Sequence, residues 1–157
     1  MKILILFLGK TDKKYIKEGI DDYVKRLNNY LPFELNETPE LKKNRNLSIE
    51  LQKEREGELI LGQINKGDYV VLLDEHGFEF SSLEFSKWIE NKMIMSLRQL
   101  VFVAGGPYGF SEAVYQRADY KLSLSKLTFS HQMVRMIFVE QLYRAMTIIK
   151  NEPYHHN

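Results

Sequence analysis

Residues 101–135 read VFVAGGPYGFSEAVYQRADYKLSLSKLTFSHQMVR, and this stretch decides the fold. It opens on an apolar, β-branched run, Val101-Phe102-Val103-Ala104, closed by glycines, which predicts a buried strand. Gly105, Gly106, Pro107 and Gly109 follow as a loop whose backbone can bend sharply and approach a ligand closely. Taken alone, a Gly-Gly-Pro after a strand is no more than a turn. A second loop, 122–130, leads from a short strand over 120–124 into a long helix predicted over 131–150. Two loops that each follow a strand suit a small-molecule site.

Toward the N-terminus, the apolar runs 3–8 and 69–73 predict strands buried on both faces, the mark of a parallel sheet between helices. Thr11 or Asp12 is placed to cap a helix reaching about residue 30, closed by Pro32, and 33–37 alternates like a more exposed strand. Residues 38–48 are polar and basic and predict a mobile loop. Ser48 caps a helix over 49–64, with its acidic residues facing water. Asp74-Glu75-His76-Gly77 ends the second apolar run in a polar loop. Ser81 and Ser82, with Glu84 beyond, start a helix to about residue 97, and a short helix is expected over 111–116. Strands alternating with helices give one α/β domain spanning 1–157, with a mainly parallel sheet of about five strands. Ligands of such sheets bind beyond the carboxyl ends of the strands. Here those ends are Leu72-Leu73-Asp74, Ala104-Gly105-Gly106 and Leu124-Ser125-Lys126.

Composition excludes several classes. Cysteine is absent, so there is no disulfide framework and no thiolate nucleophile or metal ligand. No apolar run approaches the roughly 20 residues needed to span a bilayer, and the opening apolar run is too short for a signal peptide. A cytoplasmic, non-membrane protein is expected. Net charge is only +1, but it is unevenly spread. Residues 1–45 carry ten Lys/Arg against seven Asp/Glu, residues 46–90 four against ten, and residues 91–157 eight against four. Two basic ends thus flank an acidic middle.

Motif searches remove further options. The first strand ends Leu8-Gly9-Lys10-Thr11, without the G-x-G-x-x-G of a dinucleotide site, and no phosphate loop is present. A serine hydrolase would need G-x-S-x-G, which is missing. His155-His156 lacks partner ligands, so no metal is expected. Ser130 suits the N-cap of the last helix, where Glu140 and Arg144 stand one turn apart. Its apolar positions cover so much of its circumference that a subunit interface is expected.

Four motifs in order carry a resemblance: FVAGGPYG at 102–109, LSLSKLTFSHQMVR at 122–135, EQLYRA at 140–145 and NEPYHH at 151–156. Together, over nearly the whole chain, they resemble the SPOUT-class ribosomal RNA methyltransferases, and more narrowly the RlmH family, which methylates N3 of a pseudouridine in the large-subunit (23S) RNA. The resemblance implies a homodimer, a deep trefoil knot over roughly 70–157, and S-adenosyl-L-methionine as cofactor. It implies a cofactor site at Leu73, Gly105, Gly106 and the loop Ser125-Lys126-Leu127-Thr128-Phe129-Ser130. Where the family usually has proline before the histidine, this chain has Ser130. The acceptor N3–H must lose its proton, so a base or an anion-stabilising cation is expected. His131, Arg135, and His155 with Tyr154 remain open for that role. The alternatives are a SPOUT enzyme acting on another RNA, such as transfer RNA, and a knot protein that binds ribosomes without catalysis.

Overall fold

Alternation along the apolar strands organises the molecule. In the computed structural model, which describes residues 1–39, 41 and 47–156, five strands form one sheet: β1 (Lys2–Phe7), β2 (Phe33–Glu37), β3 (Tyr69–Glu79), β4 (Gln99–Ala104) and β5 (Tyr120–Ser123). Their order is β2-β1-β4-β3-β5 and every pairing is parallel, as the unbroken apolar runs predict. Ile3, Ile5, Phe7, Val71, Leu100 and Phe102 point to one face. There they meet α1 (Lys14–Leu27), α3 (Ser82–Ile94) and α5 (Met133–Ile149) through Ile16, Ile20, Phe85, Ile89, Phe138 and Leu142. Leu4, Leu6, Val70, Leu72, Val101 and Val103 point to the other. There they meet α2 (Ile49–Leu61) and α4 (Glu112–Arg117) through Ile60 and Val114.

Several local expectations hold and others are corrected. Ser48 accepts from the Leu51 amide at 3.2 Å, and Ser81 and Glu84 form a reciprocal capping box. Thr11 and Asp12 do not cap α1, which begins after Lys13 with no side-chain cap. Both are engaged elsewhere: Thr11 Oγ1 accepts from Arg135, and the Asp12 amide donates to Gln132. Glu56 does not face water. It is buried, because the face of α2 that meets α4 is Glu56-Gly57-Ile60 rather than the stripe through Leu51. Gly57 permits that contact, since a Cβ there would lie 2.3 Å from Ser111 Oγ. The basic loop expected over 38–48 falls largely outside the described residues.

The polar segment after Leu73 is also not a strand end. β3 continues to Glu79, and Leu73 and Phe78 both register with Leu122 of β5. Residues 74–77 therefore bulge out of the sheet at the carboxyl end of β3. Gly77 brings the chain back, and its side is pressed against β5: a Cβ would stand 2.6–2.7 Å from Leu122 backbone atoms. Backbone cannot give way as a flexible side chain can. Gly77→Ala is therefore expected to destabilise the fold by roughly 2–3 kcal/mol. A urea unfolding midpoint unchanged from wild type would rule out this close approach.

Candidate active site

The site begins with how the last helix is attached. β5 lies at one edge of the sheet, yet Gln132, only nine residues beyond its end at Ser123, is bonded to the far side of the molecule's centre. Its side chain accepts from the Asp12 amide at 3.1 Å and donates to the Lys10 carbonyl at 3.2 Å, just past the end of β1. The intervening residues thus pass over the carboxyl ends of β3 and β4. Arg135, 1% exposed, fastens the crossing from below. Its guanidinium donates to the Leu8 and Gly9 carbonyls, to Thr11 Oγ1 and to the His131 carbonyl, and it lies 3.8 Å from Glu37. Ser130 helps start α5 by accepting from the Met133 amide at 3.2 Å.

Between the crossing segment and the strand ends lies a cleft of about 510 Å³. One wall is Leu73 with the bulge residues Asp74, Glu75 and His76. A second is the glycine loop after β4, and the crossing segment closes the third side. The glycines are sterically required. A Cβ on Gly105 would meet the Phe110 ring at 2.9 Å, and one on Gly106 would sit 3.0 Å from Leu8 and 3.4 Å from the Glu56 carboxylate. Gly109 has φ +77°, the left-handed region that glycine adopts without cost. Behind the loop, Glu56 has one oxygen held by Gln52 at 2.9 Å, and burial pushes its pKa up.

The cleft's electrostatics centre on Asp74. Its side chain is 7% exposed. Burial opposes its charge, but the Tyr115 hydroxyl donates to Oδ2 at 2.6 Å and the His76 amide to Oδ1 at 2.8 Å. The balance leaves the carboxyl below its ordinary range, so it is ionised at neutral pH. Tyr115 answers in the opposite sense: burial, then the bond to Asp74, push its hydroxyl up to about 12.

Of the residues expected at the cofactor site, Leu73, Gly105, Gly106, Ser125, Leu127, Thr128 and Phe129 line this cleft, and His131 joins them. Lys126 and Ser130 are exposed on the same segment without lining it. Arg135 lies beneath it, in the contacts just described. Tyr154 and His155 are elsewhere, packed on α1 and α5. The Tyr154 hydroxyl donates to Glu140 at 3.0 Å and faces the Tyr23 hydroxyl at 3.3 Å, and its ring meets Tyr143 edge-on. Burial and these bonds raise its pKa, which keeps the phenol protonated. His155 Nδ1 is 3.4 Å from Arg144, itself paired with Glu140. Among the described residues no group of three or more His, Asp or Glu is arranged to hold a metal, and no helix is long and apolar enough to cross a membrane.

The strand-end reading of the sequence reaches Asp74 but misses Glu75, His76 and Tyr115. The sequence reads residues 74–77 as a loop leaving the strand, and only their bulge turns Asp74, Glu75 and His76 into a wall. Tyr115 carried no signal beyond an aromatic on a short helix.

Comparison with known proteins places these features in a family context. A family model described as "Predicted SPOUT methyltransferase" matches residues 1–155. The chain is 59% identical over 156 residues to a protein of Parabacteroides distasonis named "Ribosomal RNA large subunit methyltransferase H", covering 99% of each chain. Proteins of the same name from Christiangramia forsetii and Phocaeicola vulgatus are 58% and 57% identical, again over 99% of each chain.

Two outcomes are expected of the anchors. Arg135→Met strands the carbonyls at the end of β1 and should cost roughly 3 kcal/mol, read as a lowered urea midpoint. Tyr115→Phe removes a hydrogen bond to a charged group and should cost about 1.5 kcal/mol at neutral pH. Because the folded Asp74 pKa lies below its ordinary 3.8, that contribution is present above 3.8 and lost as pH falls through the folded value. The unfolding midpoints of variant and wild type should therefore differ at neutral pH and approach each other at strongly acidic pH; a constant gap would contradict the assignment.

Proposed function

The chain belongs to the SPOUT methyltransferase family, and from that membership we propose that it methylates RNA of the large ribosomal subunit, with S-adenosyl-L-methionine as donor and N3 of a pseudouridine as acceptor. The observation that carries this is the meeting of Leu73, Gly105-Gly106, Ser125 and residues 127–129 around one cleft at the carboxyl ends of a parallel sheet. The residues suit the donor. Glycines let backbone amides and carbonyls approach a nucleoside, Leu73 and Leu127 supply apolar surface, and the Asp74 carboxylate complements a positively charged ligand. The bound donor supplies a methyl group already activated on a sulfonium. The chain's work is then to orient that ligand, exclude water and manage the acceptor's proton.

The proton chemistry falls to the tail cluster. Arg135 is fully engaged in holding the crossing segment, so its part is to fix the wall of the cleft rather than to meet RNA. Tyr154 stays protonated and acts as a hydrogen-bond donor that, with Glu140 and Arg144, orients the end of the chain. His155, beside Arg144, is the imidazole available to take the N3 proton. His131, exposed at the cleft, is the second base within reach of a ligand. The tail does not line the cleft of its own chain. Leu127 is 76% exposed and Tyr108 48% exposed at the cleft mouth, an apolar rim suited to a second copy. A homodimer in which the tail of one protomer reaches the cleft of its partner joins the two halves. The same family resemblance extends to a trefoil knot over roughly 70–157. Such an enzyme works in the cytoplasm, on ribosomes.

His155→Ala is expected to lower methyl incorporation into ribosomes by about a hundredfold while S-adenosylmethionine affinity by calorimetry stays within about threefold. Parallel losses would remove the tail from the chemistry. Methyl transfer to intact ribosomes but not to transfer RNA, with the modified nucleotide mapped, tests the acceptor. Sedimentation showing only monomer at micromolar concentration would exclude the shared site.

A further inference from the structure

Charge is unevenly placed around the cleft. Its walls carry two carboxylates, Asp74 and Glu75, and two imidazoles, His76 and His131. Among the described residues no Lys or Arg lines it, in a chain with 22 of them. Phosphorylated ligands are handled by arginine, lysine or clustered amides, so an anionic wall disfavours nucleotides and favours a cation. Of the two carboxylates, Glu75 is exposed and screened. Asp74 is not: its side chain is 7% exposed and both oxygens are fixed by donors, from Tyr115 at 2.6 Å and from the His76 amide at 2.8 Å. The one ring placed to offset it, His76 Nδ1 at 3.3 Å, belongs to a side chain 80% exposed. The Tyr115 bond fixes the carboxylate without cancelling its charge, since a phenol is neutral.

We propose that Asp74 is a specificity residue that lets the cleft tell the charged methyl donor from its spent, neutral counterpart. This rests on the cleft being the donor site. In the transfer the sulfur–methyl bond breaks and its electron pair stays on sulfur, while a nitrogen–carbon bond forms and the N3 proton leaves to a base. Sulfur thereby goes from a cation to a neutral thioether. The ammonium, carboxylate and ribose of the ligand are unchanged, so their contacts cancel when donor and product are compared. What remains in the ratio of affinities is the sulfonium charge and the methyl group. A fixed carboxylate in the cleft wall holds the charged form more tightly and lets the product go.

The test is calorimetric titration of wild type, Asp74→Asn and Tyr115→Phe with three ligands. These are S-adenosylmethionine, S-adenosylhomocysteine, and sinefungin, whose protonated amine stands in for the methylsulfonium. Asp74→Asn should weaken both cationic ligands relative to S-adenosylhomocysteine by about tenfold, the scale of one charge–charge interaction across a half-solvated cleft. Tyr115→Phe keeps the charge and should leave that ratio within about twofold. Equal losses for all three ligands with Asp74→Asn overturn the proposal and place Asp74 against a shared part of the molecule. Absence of binding by wild type to any of the three overturns the donor site itself, and is thereby distinguishable. If Asp74→Asn does not fold, Glu75→Gln should shift the ratio in the same direction by roughly two- to threefold, being more screened, and no shift overturns the proposal.

Discussion

The guanidinium of Arg135 is the contact on which the arrangement of the cleft depends. Burying an arginine costs several kcal/mol unless its donors are matched. Here they reach two carbonyls at the end of β1, a threonine hydroxyl and the first turn of α5, with Glu37 nearby and the Phe7 ring under the guanidinium plane. The matching requires the end of β1 and the start of α5 to be in register. That in turn requires residues 124–131 to run across the tops of β3 and β4. The loop is exposed almost throughout, so its own packing would not hold it there. It is held at both ends, by pairing of β5 on one side and by Gln132 and Arg135 on the other.

Three walls then follow from one sheet. Parallel strands present their carboxyl ends together, and each of β3, β4 and β5 leaves the sheet by a different device. β3 bulges at residues 74–77 and returns at Gly77, whose lack of a side chain lets two backbones touch. β4 ends in glycines crowded by Phe110, Leu8 and Glu56, so the backbone itself forms the surface. β5 feeds the crossing segment. The bulge gives the cleft an acidic side, and the crossing segment faces it with Leu124, Leu127 and Phe129 interspersed with Ser125, Thr128 and His131.

The aromatic and basic cluster at the other end of α5 has a different character. Arg144 and Tyr154 bond Glu140, the Tyr154 ring meets Tyr143 edge-on, and Arg26 lies over the Tyr23 and Tyr143 rings.

The class of fold was legible in the sequence alone, and so was the expectation of a cleft at the strand ends. Unbroken apolar runs at 3–8, 69–73 and 101–104 could only be doubly buried strands, and glycines after one of them marked where the backbone would be bare. Four ordered motifs carried the family. These signals are local, because strand burial, glycine geometry and motif spacing are written in neighbouring residues. Tertiary structure alone decided the rest. Asp74, Glu75 and His76 look like any polar strand end until the pairing of Phe78 with Leu122 folds them into a bulge, a matter of register between residues 44 positions apart. Arg135 looks like a solvent-facing or substrate-facing cation until the end of β1, more than 120 residues earlier, is brought beneath it. Glu56 reads as one of several acids facing water until Gly57 lets α4 close over it. In each case the partner is distant in the chain, and the chemistry of a side chain is fixed by its neighbours in space.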